Sequence, residues 1–268
     1  MLISLINHVA VMNIKIMLGL IVTIATLNAC DNLNQNSSGD NPAADGFDLA
    51  NSDPAAVELA DSIMAAMGGW ENWDDTRFIS WKYFDNRYLF WDKREDRVRV
   101  ESIKDSTTYI VNLKTLGGRV WIKGQELTET DSLSNMLRRA KSIWANDSYW
   151  LVMPFKLKDN GVTLKYLGED TLMTGGRCNV LELTLKSDGA TPQGKYHVFV
   201  DLADNLVKQW AYYSNVSQDS ANFVRPWDNY KKYGKLLLSA DRSDGSGPKE
   251  VSVKSSVNEE IFRVLERR

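Results

Sequence analysis

Few residues of this chain have the type and spacing needed for catalysis. His197 is the only histidine beyond residue 29, so a metal site built on two or three imidazoles is excluded and carboxylates alone would have to bind a metal. No Gly-x-Ser-x-Gly turn accompanies His197, and Tyr196 and Val198 share the opposite face of its predicted strand. We interpret His197 as a strand residue that faces solvent or is satisfied by a neighbour, rather than as a general base.

The remaining motifs also lack the geometry of an active site. The carboxylate pairs Asp74-Asp75 and Glu169-Asp170 consist of adjacent residues, which point to opposite faces of a strand and do not form a glycosidase dyad. Gly117-Gly118 and Gly175-Gly176 are typical of hairpin turns, and the chain contains no phosphate loop or dinucleotide fingerprint. We therefore expect a noncatalytic protein with no cofactor and no metal; a hydrolase is a third hypothesis.

The most specific chemistry belongs to Cys30. An apolar run over residues 16–27 follows Lys15 and ends in Leu27-Asn28-Ala29-Cys30, which is the order of a secretory signal. These four residues resemble the lipobox, where bacterial signal peptidases cut before a cysteine that carries lipid. We predict a signal peptide over residues 1–29, starting at Met1 or Met12, and lipid attachment at Cys30. An uncleaved N-terminal anchor helix is the alternative, although the run is short for a span of about 20 residues.

Lipid on Cys30 would fix where the protein resides. Two or three acyl chains, palmitate among them, hold a protein stably, whereas one chain holds it only marginally. We expect a lipoprotein of the cell envelope of a Gram-negative-type bacterium, with its domain in the periplasm. Asp31 follows the cysteine and leaves the leaflet open, and the outer membrane is favoured over the inner membrane.

The charge of the chain argues against a nucleic-acid partner, and its cysteine content argues against a disulfide framework. Beyond residue 29 there are 31 Lys and Arg against 35 Asp and Glu, a net charge near −4, because Lys15 is the only charged residue before that point. The basic clusters at 94–97 and 231–232 are mixed in sign or short, so we expect no nucleic-acid partner. Cys178 has no partner once Cys30 is acylated, and we interpret it as a small buried strand residue.

Periodicity predicts the elements that position these residues. Residues 30–53 form a predicted flexible tether rich in Asn, Asp, Ser, Gly and Ala, and 54–268 form a single domain. Apolar residues at helical spacing predict helices over 54–67 and 132–144, followed by a short helix and turn at 149–155. Alternation with a period of two, broken by turn residues, predicts antiparallel strands. These strands cover 79–83, 88–91, 98–100, 162–167, 178–185, 194–200, 206–213 and 235–240.

This order of elements resembles a known family. A helix that ends at Gly68-Gly69-Trp70, a train of strands, a second helix with the segment 149–157 and another train of strands are similar to envelope lipoproteins related to the LolA/LolB-type carriers. The resemblance covers about residues 54–240. It implies a mainly β (α+β) fold in which a curled antiparallel sheet forms a half-open barrel, with helices on the concave face and a cavity for acyl chains. It assigns no acyl-contact residue, and the soluble shuttles of that group lack a lipid anchor.

Aromatic residues are the remaining indication of function. All nine tryptophans follow residue 69; buried aromatics are more often core than ligand site, yet a curled sheet leaves space that large apolar side chains can line. The predicted wall positions are Trp81, Tyr83, Trp91, Trp121, Trp150, Trp210 and Tyr212. We expect an anchored protein that binds a lipid or other hydrophobic ligand. The alternative is an interaction module that docks an envelope protein complex or a glycan; the sequence predicts no oligomeric state.

Overall fold

The computed structural model describes residues 41–186 and 194–266. The predicted signal peptide, Cys30 and the first part of the tether lie outside these residues. Within them, the α-helices are α1 (Pro54–Ala66), α2 (Trp70–Asp75) and α3 (Thr130–Val152), with 3-10 turns at Leu49–Asn51, Met153–Phe155 and Glu259–Phe262. The strands are β1 (Phe78–Tyr83), β2 (Arg87–Asp92), β3 (Arg97–Ser102), β4 (Thr107–Asn112), β5 (Gly118–Ile122), β6 (Gln125–Glu126), β7 (Val162–Thr171), β8 (Arg177–Leu185), β9 (Lys195–Asp201), β10 (Val207–Tyr213), β11 (Phe223–Pro226), β12 (Tyr230–Tyr233), β13 (Leu236–Ser239) and β14 (Pro248–Lys254).

The strands form two open antiparallel sheets and one small hairpin. The first sheet has the order β14-β1-β2-β3-β4-β5-β6, the second has the order β11-β10-β9-β8-β7, and β12 pairs with β13. Within each sheet, neighbouring strands are consecutive in sequence, except that the distant β14 completes the first sheet beside β1. The predicted fold class is confirmed: residues 41–186 and 194–266 are mainly β, and their curled antiparallel sheets stay open and do not close into a barrel.

One core joins both sheets to α3. The inner face of the first sheet carries Ile79, Trp81 and Val100, and the second sheet adds Leu183 and Val198 to the same core. Residues opposite one another in an antiparallel pair share a face, so the register Ile79↔Trp91 and Trp81↔Leu89 keeps this face apolar. The apolar side of α3 covers it, contributing Leu137, Ala140, Leu151 and Val152.

The two longer helices agree with the sequence patterns except for one boundary, and the short α2 was not predicted. Pro54 occupies the first turn of α1 after Asp53, and the helix ends before Gly68, whose φ of +122° suits glycine. Helix α3 is longer than the predicted 132–144, because it continues through Trp150 to Val152. The segment that was predicted to form a short helix and turn therefore supplies the last turn of α3 and a 3-10 turn at Met153–Phe155.

The segment 41–53 is packed against the domain. The amides of Ala44 and Asp48 donate to the carbonyls of Lys158 and Val162, both at 2.9 Å, and Phe47 is 8% exposed within the main core. Residues 41–53, which the sequence predicts to be part of a flexible tether, therefore belong to the folded domain, because Phe47 supplies an apolar anchor that the polar composition around it conceals.

The outer face of the first sheet is covered in part by the C-terminal segment. Phe78, Ile110 and Trp121 form a small cluster there with Phe262, and Phe90 packs against it. The guanidinium of Arg99, which is 2% exposed, donates to the carbonyls of Ile261, Val264 and Leu265. In the part of the chain that the structure describes, no helix has both the length and the apolar character needed to cross a membrane.

Candidate functional site

Nine aromatic side chains meet where the two sheets and α3 come together, and we call them the aromatic cluster. They come from the end of β1 and its turn, the last turn of α3, strands β9, β10 and β11, and the connection that follows β11. The members are Tyr83, Phe84, Tyr149, Trp150, Tyr196, Trp210, Tyr212, Phe223 and Trp227.

Trp150 and Trp210 form the centre of the cluster. Their ring centroids lie 4.8 Å apart in an edge-to-face arrangement, which the aromatic quadrupole favours. Trp150 also contacts Phe84 at 5.0 Å, and Trp210 stacks on Tyr196 at 5.6 Å with the planes 4° apart. Phe223 contacts both tryptophans, at 5.5 and 5.4 Å. A helix and two strands are thereby joined into one apolar surface.

The cluster has a buried end and a partly exposed end. Trp210 and Trp227 are 1% and 0% exposed, so they belong to the filled core. A second set of rings is only half-buried, and we call it the aromatic rim; it consists of Phe84, Trp150, Tyr196, Tyr212 and Phe223. Because the rim contacts the buried rings directly, an apolar ligand that covered it would extend the core without a polar break.

A polar network fixes α3 over the first sheet beside the cluster. The Asp147 carboxylate, fully buried, accepts from Nε and Nη2 of Arg87 at 2.6 and 2.9 Å. The Asn146 amide donates to Asp147 at 2.9 Å and to the Tyr83 hydroxyl at 3.3 Å. Burial raises the pKa of Asp147, although Arg87 opposes the rise, and burial also raises the pKa of Tyr83 to about 12. The network therefore sets the position of Trp150 relative to Tyr83.

Unpaired donors border the buried end of the cluster. Arg242 lies over the Trp227 ring at 3.7 Å and donates to the Trp150 carbonyl at 2.6 Å and to Ser239 at 2.9 Å. Its Nη1 and the indole nitrogens of Trp210 and Trp227 are buried without a partner among the described residues. Burial lowers the pKa of Arg242 to about 9. Buried donors of this kind favour an acceptor group nearby.

The structure brings together four of the seven predicted wall residues. Tyr83, Trp150, Trp210 and Tyr212 belong to the aromatic cluster. Trp81 lies on the same inner face and is 1% exposed.

The other two predicted tryptophans lie elsewhere. Trp91 contacts Trp73 and Trp144, at 6.2 and 5.2 Å, in a separate part of the core. The assignment of Trp121 to the inner wall is wrong, because the register Tyr109↔Val120 turns Val120 inward and Trp121 outward, where it lies under Arg119.

Five members of the cluster were not among the predicted wall residues: Phe84, Tyr149, Tyr196, Phe223 and Trp227. Tyr149 precedes Trp150 in the last turn of α3. Tyr196 alternates in phase with the inward Val198, so strand periodicity could have identified it. Phe84 follows β1 in a turn, Phe223 is the first residue of the four-residue β11, and Trp227 follows that strand. No periodic pattern marks these three residues, and only the long-range packing of β11 and the β1 turn brings them together.

His197 has structural partners, and Cys178 is buried. Nδ1 of His197 lies 3.1 Å from the Tyr213 hydroxyl, and Nε2 lies 3.3 Å from a Glu182 oxygen. Burial lowers the pKa of His197, although Glu182 opposes the shift. Cys178 is buried, and burial raises the pKa of its thiol. Among residues 41–186 and 194–266, no cluster of three or more His, Cys, Asp or Glu side chains could hold a metal.

Comparisons with known proteins give matches only among solved structures. No protein-family model and no curated protein matches the chain. A DUF1329 family protein from Desulfovibrio piger is 13% identical with a TM-score of 0.43, over 79% of this chain and 98% of that one. A domain from Vibrio parahaemolyticus named for outer membrane lipoprotein sorting is 11% identical with a TM-score of 0.40, over 78% and 96%. A LolA superfamily protein from Nitrosomonas europaea is 12% identical with a TM-score of 0.40, over 78% and 97%. The structure neighbours thus include the group that the sequence resembles.

Proposed function

We propose that this protein is a noncatalytic lipoprotein of the bacterial envelope that binds a lipid or another hydrophobic ligand on the aromatic rim. The observation that carries the proposal is the continuity between the half-buried rim and the buried Trp210 and Trp227. An acyl chain laid across the rim would lose its contact with water on one side and gain aromatic contacts on the other. Burial of about 200 Å² of apolar surface would contribute about 5 kcal/mol.

The buried donors support a ligand that has a polar end. Arg242 is 3% exposed, and its Nη1 lacks a partner among the described residues. A carboxylate or ester oxygen would satisfy such a donor, and a pure hydrocarbon would not. We therefore expect an acyl chain with an oxygen-bearing end to bind better than an alkane of equal length.

The anchor would keep this binding close to a membrane. Ten residues, 31–40, separate Cys30 from Asn41, and a fully extended chain of that length spans about 35 Å. Lipid on Cys30 would therefore confine the domain to a shell one protein diameter deep. This suits a fixed receiver of lipid better than a freely diffusing carrier.

An interaction module is the second candidate, favoured by the filled core. Trp81, Trp210 and Trp227 are each no more than 1% exposed, so the rim could instead be a docking surface for an envelope protein or a glycan, which half-exposed aromatic residues also suit.

The two candidates are tested with the full chain in phosphatidylcholine nanodiscs. All tryptophans lie between residues 70 and 227, so quenching of their fluorescence by a doxyl-labelled fatty acid reports binding to the domain. Phe223→Ser removes a rim ring, whereas Val224→Ser changes the next residue, which is 40% exposed on the other face of β11. We expect Phe223→Ser to weaken quenching about tenfold and Val224→Ser to leave it unchanged.

Lipid extraction supplies the second measurement. Mass spectrometry of lipids that remain with the wild-type protein after exchange into fresh nanodiscs should identify an acyl ligand, depleted in Phe223→Ser. Equal quenching in both variants, together with an empty wild-type protein, would reject lipid binding in favour of the docking surface.

A further inference from the structure

The outer face of the first sheet contains an apolar cavity that is separate from the aromatic cluster. We call it the outer slot; its volume is about 190 Å³. The register Phe78↔Lys254, Ser80↔Ser252 and Ser80↔Phe90 places these five side chains together on the floor of the slot. The roof is the C-terminal segment, through Val257, Ile261 and Phe262. The slot thus lies between a sheet and a segment that is far from it in sequence.

Polar contacts hold the roof at a fixed height above the floor. Glu259 bridges to Arg77 at 3.3 Å and also pairs with Arg97. The Arg97 guanidinium lies 4.4 Å from the centre of the Phe262 ring, and Phe262 stacks on Phe78 at 6.3 Å. Together with the bonds from Arg99 to three backbone carbonyls, these contacts keep the segment in place while the slot beside it stays open.

The mouth of the slot is cationic. Lys254 borders both the slot and an adjoining cleft of about 560 Å³, to which Arg77, Arg94 and Lys235 also contribute. Asp75 is the one acidic residue that lines this cleft. The Arg77 charge is satisfied by Asp92 and Glu259, but no described carboxylate forms an ion pair with Arg94, Lys235 or Lys254. Lys254 therefore lies at the slot itself, and Arg94 and Lys235 add two further surface cations in the cleft that adjoins it.

We infer that the outer slot binds the end of an acyl chain whose anionic head lies at Lys254 and the adjoining basic cleft. An apolar cavity of about 150 Å³ can hold a benzene ring, so the slot has room for about six to eight carbons of an alkyl chain. Phe78, Phe90 and Phe262 provide the apolar contacts, and the cations recognise a carboxylate or a phosphate. The ligand class is an anionic single-chain amphiphile or one chain of an anionic lipid.

Photolabelling tests this site on the full chain in phosphatidylcholine nanodiscs. The probe is decanoate with a diazirine at its methyl end, and mass spectrometry locates the label. We expect label on the peptides that contain Phe78 or residues 257–262, and about tenfold less with the hexanoate analogue, whose shorter chain leaves part of the slot empty. The decanol analogue, which lacks the charge, should label these peptides several-fold less than decanoate does.

Three variants separate the slot from nonspecific partition. Ser252→Leu fills the floor and should reduce slot labelling at least tenfold, and Lys254→Glu should reduce it about fivefold. Lys104→Glu makes the same charge change at an exposed residue beyond Ser102, at the opposite end of the sheet, and should leave labelling unchanged. Matched circular dichroism spectra check folding; if Ser252→Leu fails to fold, the comparison of Lys254→Glu with Lys104→Glu decides the outcome.

The nanodisc composition identifies the source of the anion. If phosphatidylglycerol in the bilayer suppresses slot labelling, membrane lipid is the ligand; if labelling persists, free fatty acid is the ligand. Both results support the site. It is overturned if the slot peptides stay unlabelled, if decanol labels them as well as decanoate does, or if Lys254→Glu and Lys104→Glu behave alike. Label on peptides containing Trp150 or Phe223 reports binding at the aromatic rim, so it distinguishes failure of the rim from failure of the slot.

Discussion

Removing one partner of the buried pair formed by Arg87 and Asp147 should strongly lower the free energy of unfolding. Asp147 is fully buried and is bound by two hydrogen bonds at 2.6 and 2.9 Å. Asp147→Ala leaves the Arg87 guanidinium half-buried and unpaired, and loss of one partner of a buried pair costs about 3–5 kcal/mol. The Arg87 side chain is 23% exposed, so water reaches it and we expect a smaller loss of about 2–4 kcal/mol.

Urea unfolding of the full chain, monitored by tryptophan fluorescence, measures this loss of stability. The double variant Arg87→Met/Asp147→Leu removes both charges and should recover to within about 1 kcal/mol of wild type, because an apolar pair of similar volume replaces the ions. Glu126→Ala is the matched control: it breaks the Arg119–Glu126 pair, whose side chains are 47% and 37% exposed, and should cost under about 1 kcal/mol.

Two results would refute this reasoning. A loss below about 1 kcal/mol for Asp147→Ala would mean that Arg87 finds water or another acceptor without penalty. A double variant as unstable as Asp147→Ala would mean that the packing of α3, rather than the charge, depends on these residues. In either case the network would not set the position of Trp150.

Two further predictions concern the outer face of the first sheet. Arg99→Met should release the C-terminal segment, because it removes the donors to the carbonyls of Ile261, Val264 and Leu265; hydrogen exchange over 257–265 should rise at least tenfold while exchange in β2 stays unchanged. Burial tends to raise the pKa of Asp92, but hydrogen bonds from Arg77 and Arg97 outweigh it and lower the pKa below its ordinary 3.8. A carboxyl with a depressed folded-state pKa stabilises above pH 3.8 and loses that contribution as pH falls further. Asp92→Asn should therefore be less stable than wild type at pH 7 and show a flatter loss of stability below pH 4; equal slopes in acid urea titrations would contradict this.

The local elements were predictable because their signals are local. Pro54 and Gly68-Gly69 bound α1, and the alternation of Ile79, Trp81 and Tyr83 fixes the inner phase of β1. The turn residues then set each hairpin in order. Strand β14 was not predicted. Its pairing with β1 joins residues about 170 positions apart, and no local sequence pattern indicates that such a long loop closes.

The candidate site was predictable only in part, and Trp121 shows why. Strands exposed on one face alternate between apolar and polar residues, but strands covered on both faces do not. Tyr109-Ile110-Val111 and Val120-Trp121 are apolar at every position, because α3 covers one face and the C-terminal segment covers the other. Within β5 only Arg119, two residues before Trp121, marks the outward face, and the register with β4 is what places Trp121 there.

The same double coverage explains where apolar side chains stay accessible in this protein. A sheet covered on both faces exposes apolar side chains only where its covers end. On the inner face the cover ends at the last turn of α3, where Trp150 and Phe84 leave the aromatic rim half-buried. On the outer face it ends where the C-terminal segment leaves β14 and β1, and the outer slot opens there beside Lys254. If both sites bind acyl chains, Phe223→Ser and Ser252→Leu should act independently, since the sites lie on opposite faces and share no residue; strong coupling between the two variants would indicate one ligand path instead of two.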